Sequence, residues 1–517
     1  MKNKITLLVL SLALAFSMLA FSVGCPSTTP TPVCYCAIDD LFLFNPYRNV
    51  DFSSFGRYRA DFHTHTSNSD GTASPNEQAR RFASVGFDFL AIAEHDSWTY
   101  GRHPNRPGVI VTGDVTSADS IATAGNPVIT NFNLNSPNRA NWVQTWPWSR
   151  FGVQEGYHGL IPIQANEVTR TQHFGNFYTS FTDQTVFGSS VALSGTGKAD
   201  VMNRAIAHSM HYYPCDRYRT NEPTIQEGQI RFELFHPERY LARYSAVNTF
   251  EGHIVHLDRP AVNGVYPRTS AGYYQQLIND FPTILSIEVF NQADRHPSIH
   301  IYDRIMRDMF PARPVWLSAN SDEHGIHFGY SANVMLLEER TEGNFRRARE
   351  QGAYFAVSFG AFNPNYLELD YNRRYLAATT LNANGHHWTH NPHEYPRLTV
   401  QRWGDRWYYV PNILDIQIDC CSGYITVIAE TEASNVYTEF LWFTEDGELV
   451  QEGNIINFRT NEYISNYVRG ELRNYMYIDG ERTHISTKLM QPFGVGLFDA
   501  ESWFFHFTGV DLQWPKN

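Results

Sequence analysis

Cysteine is scarce in this chain, with six residues in 517, and none of the pairs has the spacing of a zinc finger. Five follow Cys25: Cys34, Cys36, Cys215, Cys420 and Cys421. A bridge from Cys34 to Cys36 would be strained, and adjacent residues such as Cys420 and Cys421 face opposite ways on a strand, so no disulfide framework is expected. Basic residues are also in deficit, 40 Lys and Arg against 53 Asp and Glu. A net charge of -13 repels a nucleic acid backbone and argues against a nucleic acid polymer as partner. Long apolar runs are missing beyond the N-terminus, and no internal repeat is present. What remains is a chain that is 42% hydrophobic and 15% aromatic, enough to bury a large core in more than one domain.

The one long apolar run, Ile5 to Phe21, follows Lys2 and Lys4 and precedes small residues and Cys25. A basic start, an apolar stretch and small residues form an export signal over residues 1 to 24. The following "PSTTPTPV" is a polar, proline-rich tether. "SVGC" resembles the lipobox of bacterial lipoproteins, with Ser22 in place of the usual Leu. That resemblance implies lipidation of Cys25 and anchoring to a membrane of the cell envelope, with ordinary secretion as the alternative. Removing Lys2 and Lys4 leaves 38 basic against 53 acidic residues, a net -15.

Organisation changes along the chain. Residues 25 to 56 form tether and lead-in. From 57 to 360, apolar runs such as "FDFLAIAEHD", "GLIPIQANEVT", "TILSIEVFN" and "PVWLSANSDEH" alternate with helical patterns, and each run ends in polar, ligand-type residues. Strands alternating with helices predict an α/β fold with a parallel barrel, whose chemistry gathers at the C-terminal strand ends. Residues 361 to 395 read as an Asn-rich connector. From 396 to 517 short alternating segments predict an all-β sandwich, with Asp446-Gly447 and Asp479-Gly480 as hairpin turns.

The chemistry-bearing stretch is "RADFHTHTSNSDGTASPNEQARRFASVGFDFLAIAEHD". With 21 histidines in 517 positions, about one H-x-H arises by chance, so His63 and His65 alone say little. Their setting says more. On a strand, period-two geometry points both rings to one side, as two ligands of a single ion require. "SPNEQARRFASVG" then opens with a capping box at Ser74 and Glu77, has proline at its first helical position, and closes at Gly86.

Five motifs in order resemble the PHP family, the polymerase-and-histidinol-phosphatase metal hydrolases. They are His63 and His65 followed by "SDG" with Asp70, "AIAEH" with His95, "IPIQANEVTRTQHFGNFY" with Glu167 and His173, "FHPERY" with His236, and "SANSDEH" with Asp322 and His324. Glu94 stands where Asp is common in that family. The resemblance implies a distorted seven-stranded TIM-like (β/α) barrel with two or three divalent ions at its strand ends. It implies that His63, His65, Glu167 and Asp322 hold the first ion, that Asp70 and His95 help hold a second, and that His173 and His236 hold a third, with Glu167 and His324 bridging or completing the sites. Nitrogen and carboxylate donors suit manganese, zinc or iron. His63, His65, Asp70, His95, Glu167, Asp322 and His324 then form the catalytic set. The implied activity is hydrolysis of a small phosphomonoester or phosphodiester by metal-activated hydroxide. An amide or other ester hydrolase with the same metals, or an inactive surface-binding scaffold, are the alternatives.

Other residues compete with this set. His208 and His211 rival His236 but fall on a helical pattern, and "HHWTHNPH" reads as an exposed loop. Arg170 is equally a phosphate clamp or a surface ion pair.

Overall fold

The computed structural model of the chain describes residues 33–35, 41–66, 71–93, 101–102, 110–111, 157–177, 231–237, 257–324, 331–359, 401–403, 406–408, 411–430 and 436–497, with short breaks at 85, 164, 170–172, 268–269, 282, 292–297 and 479–480. The export signal, Cys25, Asp70, His95 and the 361–395 connector lie outside these residues.

The first half follows the expected alternation of strand and helix only in part, because the strands from Phe89 to Leu234 succeed one another without an α-helix among the described residues. After β1 (Leu41–Phe44) comes β2 (Gly56–Thr64), the His-x-His strand, and then α1 (Pro75–Ser84). The Glu77 N–H donates to Ser74 Oγ at 3.2 Å and Gly86 takes a φ of 78°, so the helix starts and stops where its sequence signals stand. Next are β3 (Phe89–Ile92), β4 (Ile161–Ile163), β5 (Ala165–Thr169), β6 (His173–Phe177) and β7 (Arg231–Leu234). Helix α2 (Ala271–Asp280), β8 (Ile284–Asn291), α3 (Ile299–Met306), β9 (Trp316–Asn320), β10 (Ser331–Leu337), α4 (Glu342–Gln351) and β11 (Tyr354–Phe359) complete this half.

Two sheets carry it. In the larger one β2, β3 and β4 run parallel, while β2, β10 and β11 pair antiparallel. In the smaller one β7, β8 and β9 are parallel, but β5, β6 and β7 are antiparallel. The sheets meet between β4 and β5, which are separated by Gln164 alone. They meet again where Thr64 bridges Glu323 and the His65 N–H donates to the Glu323 carbonyl at 2.8 Å. The described residues thus form a mixed α/β fold of several sheets, and the regular barrel of seven strand-helix units is not what they display.

The C-terminal segment shares a sheet with the first half. Strands β17 (Tyr467–Ile478), β18 (Glu481–Leu489) and β19 (Phe493–Leu497) extend the larger sheet, since β18 pairs with β11 and β19 with β1. An exposed β11 edge would offer a row of unpaired backbone groups, and β18 covers it. Facing this sheet lies a three-stranded one of β12 (Ile413–Asp419), β13 (Tyr424–Ala429) and β16 (Ile455–Asn457). Ile413, Ile425, Val427 and Ile456 share one core with Val334, Val357 and Leu472 of the larger sheet. Alternation explains how β10 serves two cores: Ala332, Val334 and Leu336 face this layer, while Met335 and Leu337 face the other. Between β14 (Val436–Phe443) and β15 (Leu449–Glu452) the chain turns at Asp446 and Gly447, with φ of 62° and 73°, as an Asp-Gly hairpin requires. The second Asp-Gly pair lies outside the described residues.

A buried ion pair fastens the segment to α3. Arg469 donates through Nε and Nη2 to Asp303 Oδ1 and Oδ2 at 2.8 and 2.6 Å, and the Tyr467 hydroxyl donates to Oδ1 at 2.9 Å. Contrary to the sequence expectation, Cys420 is joined in a disulfide. Backbone alternation forbids an easy bridge to Cys421 but places no limit on a cysteine distant in sequence, which only folding brings near. Among the described residues no helix is long and apolar enough to cross a membrane.

Lys488 is buried on β18 and donates to the Pro411 carbonyl. Burial, then the Arg57 charge, lowers its pKa from the ordinary 10.5 to about 7. Between those values the unfolded chain holds a proton that the folded chain has released, so stability rises with pH across the window, by about 1.4 kcal/mol per pH unit. Urea unfolding of Lys488→Met should therefore show a variant more stable than wild type at pH 6, with the difference closing above pH 7. A pH-independent difference would show that the amine stays charged.

Candidate metal centre

The centre begins at the end of β2, where alternation puts His63 and His65 on the same side of the strand. The first half of β2 pairs with β10, as far as Ala60 with Asn333; beyond this the strand is released toward the end of β9. That release brings both imidazoles to Asp322, two residues past β9, and to Glu167 on β5.

Four donor atoms converge. His63 Nε2 lies 3.0 Å from His65 Nε2, 3.4 Å from Glu167 Oε2 and 3.3 Å from Asp322 Oδ1. His65 Nε2 lies 3.2 Å from each of the two carboxylate oxygens. Ligands at about 2.0–2.1 Å from a tetrahedral ion stand about 3.3–3.4 Å apart, so the separations match the edges of such a polyhedron. All four side chains are buried. Electron-pair donors this close repel one another, and one shared proton relieves one contact where a divalent cation relieves all.

Glu167 also faces a second group. Its Oε1 contacts His173 Nδ1 and lies 3.3 Å from His236 Nε2, so one carboxylate serves two clusters. A third group joins His65, Asp322 and His324. His324 Nδ1 donates to the Asp322 carbonyl at 2.8 Å, which leaves Nε2 as the acceptor of that ring. The His173 and His324 side chains are 17% and 25% exposed, against 0 to 1% for the other members. They therefore mark the mouth. Seven of the nine expected ligands, His63, His65, Glu167, His173, His236, Asp322 and His324, come together here. Asp70 and His95 lie outside the described residues.

Two of these seven residues sit in the left-handed backbone region, Asp322 at a φ of 45° and His236 at 29°. Neither is glycine, so the surroundings must hold the strain, a feature that clusters at functional sites.

Glu288 does that holding for His236, and sequence reasoning missed it. Its Oε1 accepts from His63 Nδ1 at 3.1 Å and from Asn320 Nδ2 at 2.9 Å. Its Oε2 accepts from the His236 backbone N–H at 2.7 Å and from Asn291 Nδ2 at 3.0 Å. With Nδ1 of His63 donating, Nε2 is left with a lone pair aimed into the cup, the arrangement that tunes a metal-binding histidine. One signal was available: a single acidic residue in the middle of the apolar run "ILSIEVFN".

Electrostatics follow from burial. Burial opposes a charge on His63, yet the carboxylates of Asp322, Glu288 and Glu167 outweigh it and raise the pKa well above the ordinary value. Burial likewise raises Glu288, with the His63 charge opposing. The donor set is nitrogen and oxygen without sulfur, which fits manganese, zinc or iron.

No protein-family model and no curated protein matches the chain. Among solved structures it is similar to a two-domain protein from Bacteroides vulgatus containing a predicted PHP-like metal-dependent phosphoesterase. The identity is 14%, the coverage 84% of this chain and 96% of that one, and the TM-score 0.36. Similarity also extends to an amidohydrolase from Chromobacterium violaceum with bound sulfate and no metal, at 15% identity, 56% and 96% coverage and a TM-score of 0.21. A protein from Bifidobacterium adolescentis described as a metal-dependent phosphoesterase gives 14%, 56% and 96%, and 0.23. With identities and TM-scores this low, the case for function rests on the geometry of the cup.

Elemental analysis should find divalent metal in wild-type protein and none in His63→Ala or Asp322→Ala. Glu288→Ala, which keeps every ligand, should bind metal roughly 10–100-fold more weakly. Unchanged affinity in that variant would remove Glu288 from the site.

Proposed function

We propose that this chain is an exported metal-dependent hydrolase of phosphoesters, of the PHP type, acting on small phosphomonoesters or phosphodiesters. The observation that carries the reading is the buried cup of His63, His65, Glu167 and Asp322, whose donor spacing fits a coordinated ion. The two sheets that meet at both ends are read as the wall of a distorted barrel around it.

Bound divalent ions would supply Lewis acidity, activating water and neutralising charge on phosphoryl oxygens. The chain's own residues prepare for this. Glu288 fixes the tautomer of His63, and Phe235 stacks on the same ring with centroids 3.7 Å apart, so the ligand is held before anything binds. Glu167 turns one oxygen to each of two clusters and would contribute a ligand atom to an ion in either. At the mouth, the bond from His324 Nδ1 to the Asp322 carbonyl fixes the ring and leaves the Nε2 lone pair as the one this residue would offer to the ligand set. Asp70 and His95 belong to the same proposal as further ligands.

Residues 1 to 24 as an export signal and Cys25 as a lipid attachment point place the protein in the cell envelope in this reading. The Cys420 disulfide supports it, since such bonds persist in oxidising compartments. The acidic surface supports a small substrate over a nucleic acid polymer.

The test is hydrolysis of p-nitrophenyl phosphate, bis-p-nitrophenyl phosphate and matched acyl and amide substrates by protein reconstituted with manganese, zinc or iron. Phosphoester turnover that a chelator abolishes and that falls by roughly 10³-fold or more in Asp322→Ala is expected. Turnover confined to acyl or amide substrates would replace the phosphoesterase reading, and metal-loaded protein without any turnover would favour a binding scaffold.

A further inference from the structure

Strand β9 delivers Asp322 and His324 to the cup, yet among the described residues only one of its edges is covered by a backbone ladder, that of β8. Every second residue of a strand turns its N–H and C=O to the same edge, and these groups must find partners when buried. On β9 the residues facing away from β8 are Leu317 and Ala319, followed past the strand end by Ser321 and Glu323. Their partners come in order. Leu317 donates its N–H to Gln491 Oε1 and accepts from Gln491 Nε2, both at 2.8 Å. Ala319 does the same with Asn333, through Oδ1 at 3.0 Å and Nδ2 at 2.7 Å. The Ser321 N–H donates to Asp61 Oδ2 at 3.0 Å. At Glu323 the backbone of β2 takes over, through the His65 N–H.

Three side chains therefore stand in for a missing strand. The carboxamides of Gln491 and Asn333 offer one donor and one acceptor each, the pattern of a peptide group. The rung beside the cup differs, because Asp61 is an acceptor on both oxygens. While Oδ2 takes the N–H of Ser321, Oδ1 takes the N–H of His63 at 2.9 Å. One buried carboxylate thus clamps the backbone of a histidine ligand on β2 to the residue before the aspartate ligand on β9.

We propose that β9 is aligned by this side-chain ladder and that Asp61 is its decisive rung, a positioning residue that sets the separation of His63 from Asp322 without touching the metal. The inference rests on reading the cup as a metal site, and it adds a residue that binds neither ion nor substrate. It also ties the C-terminal segment to β9 through Gln491, at the rung farthest from the cup.

The experiment compares full-chain wild type, Asp61→Asn and Gln491→Leu for zinc affinity, by competition with a metallochromic chelator, and for the absorption spectrum with cobalt(II). Asp61→Asn keeps the shape and one acceptor but turns an NH2 group toward one of the two N–H donors. It should lose zinc affinity roughly 10–100-fold and shift the cobalt bands. Gln491→Leu, at the far end of the ladder, should lower the melting temperature and leave zinc affinity close to wild type. Folded Asp61→Asn with wild-type affinity and spectrum would overturn the proposal. So would a loss in Gln491→Leu as large as that in Asp61→Asn, because the rungs would then act through stability alone. Should Asp61→Asn fail to fold, Asn333→Ala, the next rung, decides in the same assay: a several-fold loss supports the ladder and wild-type affinity overturns it. Wild-type protein that binds neither zinc nor cobalt would overturn the metal reading as well, whereas wild type that binds with equal affinity in Asp61→Asn defeats only this inference.

Discussion

The convergence of donors in the cup is the constraint on which the rest of the structure depends. Two imidazoles and two carboxylates with donor atoms 3.0–3.4 Å apart and no access to water form an unfavourable arrangement unless something positive lies between them. A folded chain holds such a cluster only if the surrounding backbone and side chains leave it no other geometry. Much of the polar material in this interior serves that end.

Below the ligands a second layer of buried groups carries the load. Asn320 donates to both Glu288 and Glu233. Glu233 also accepts from the Ser286 hydroxyl at 2.9 Å and from Arg349 Nη2 at 2.7 Å. Arg349 comes from α4, and its guanidinium lies against Phe177 and Phe62, 3.6 and 4.8 Å from their ring centroids. A lone buried carboxylate is costly, while one saturated with donors and paired to a stacked arginine is stable and stiff. Stiffness passes from the helix layer to His63 by way of Glu288.

The C-terminal segment belongs to the same construction. Its strands lengthen the sheet that begins at β2, Arg469 grips Asp303 on the helix after β8, and Gln491 lines the open edge of β9. Both strands reached in this way, β8 and β9, carry or immediately precede residues of the centre, Glu288 and Asp322. A segment that reads as a separate sandwich is therefore continuous with the half that holds the cup where the sheet is concerned, and layered on it where the β12, β13 and β16 sheet packs.

Much of this was legible in the sequence, and the reason is local. The parity of His63 and His65, the Ser74 and Glu77 cap, the Asp446-Gly447 turn and the strand runs ending in ligand-type residues all follow from periods and dihedral preferences within a few residues. The roles of Glu288, Asp61 and Gln491 were not legible, because each acts on a partner brought near only by the fold, 225 positions away for Glu288 and His63 and 260 for Asp61 and Ser321. The sequence by itself determined which residues can bind metal and which way they face on their own strands. Only the tertiary structure decided which strands stand side by side, because pairing satisfies backbone groups that are the same at every position and so leave no mark in the order of the residues.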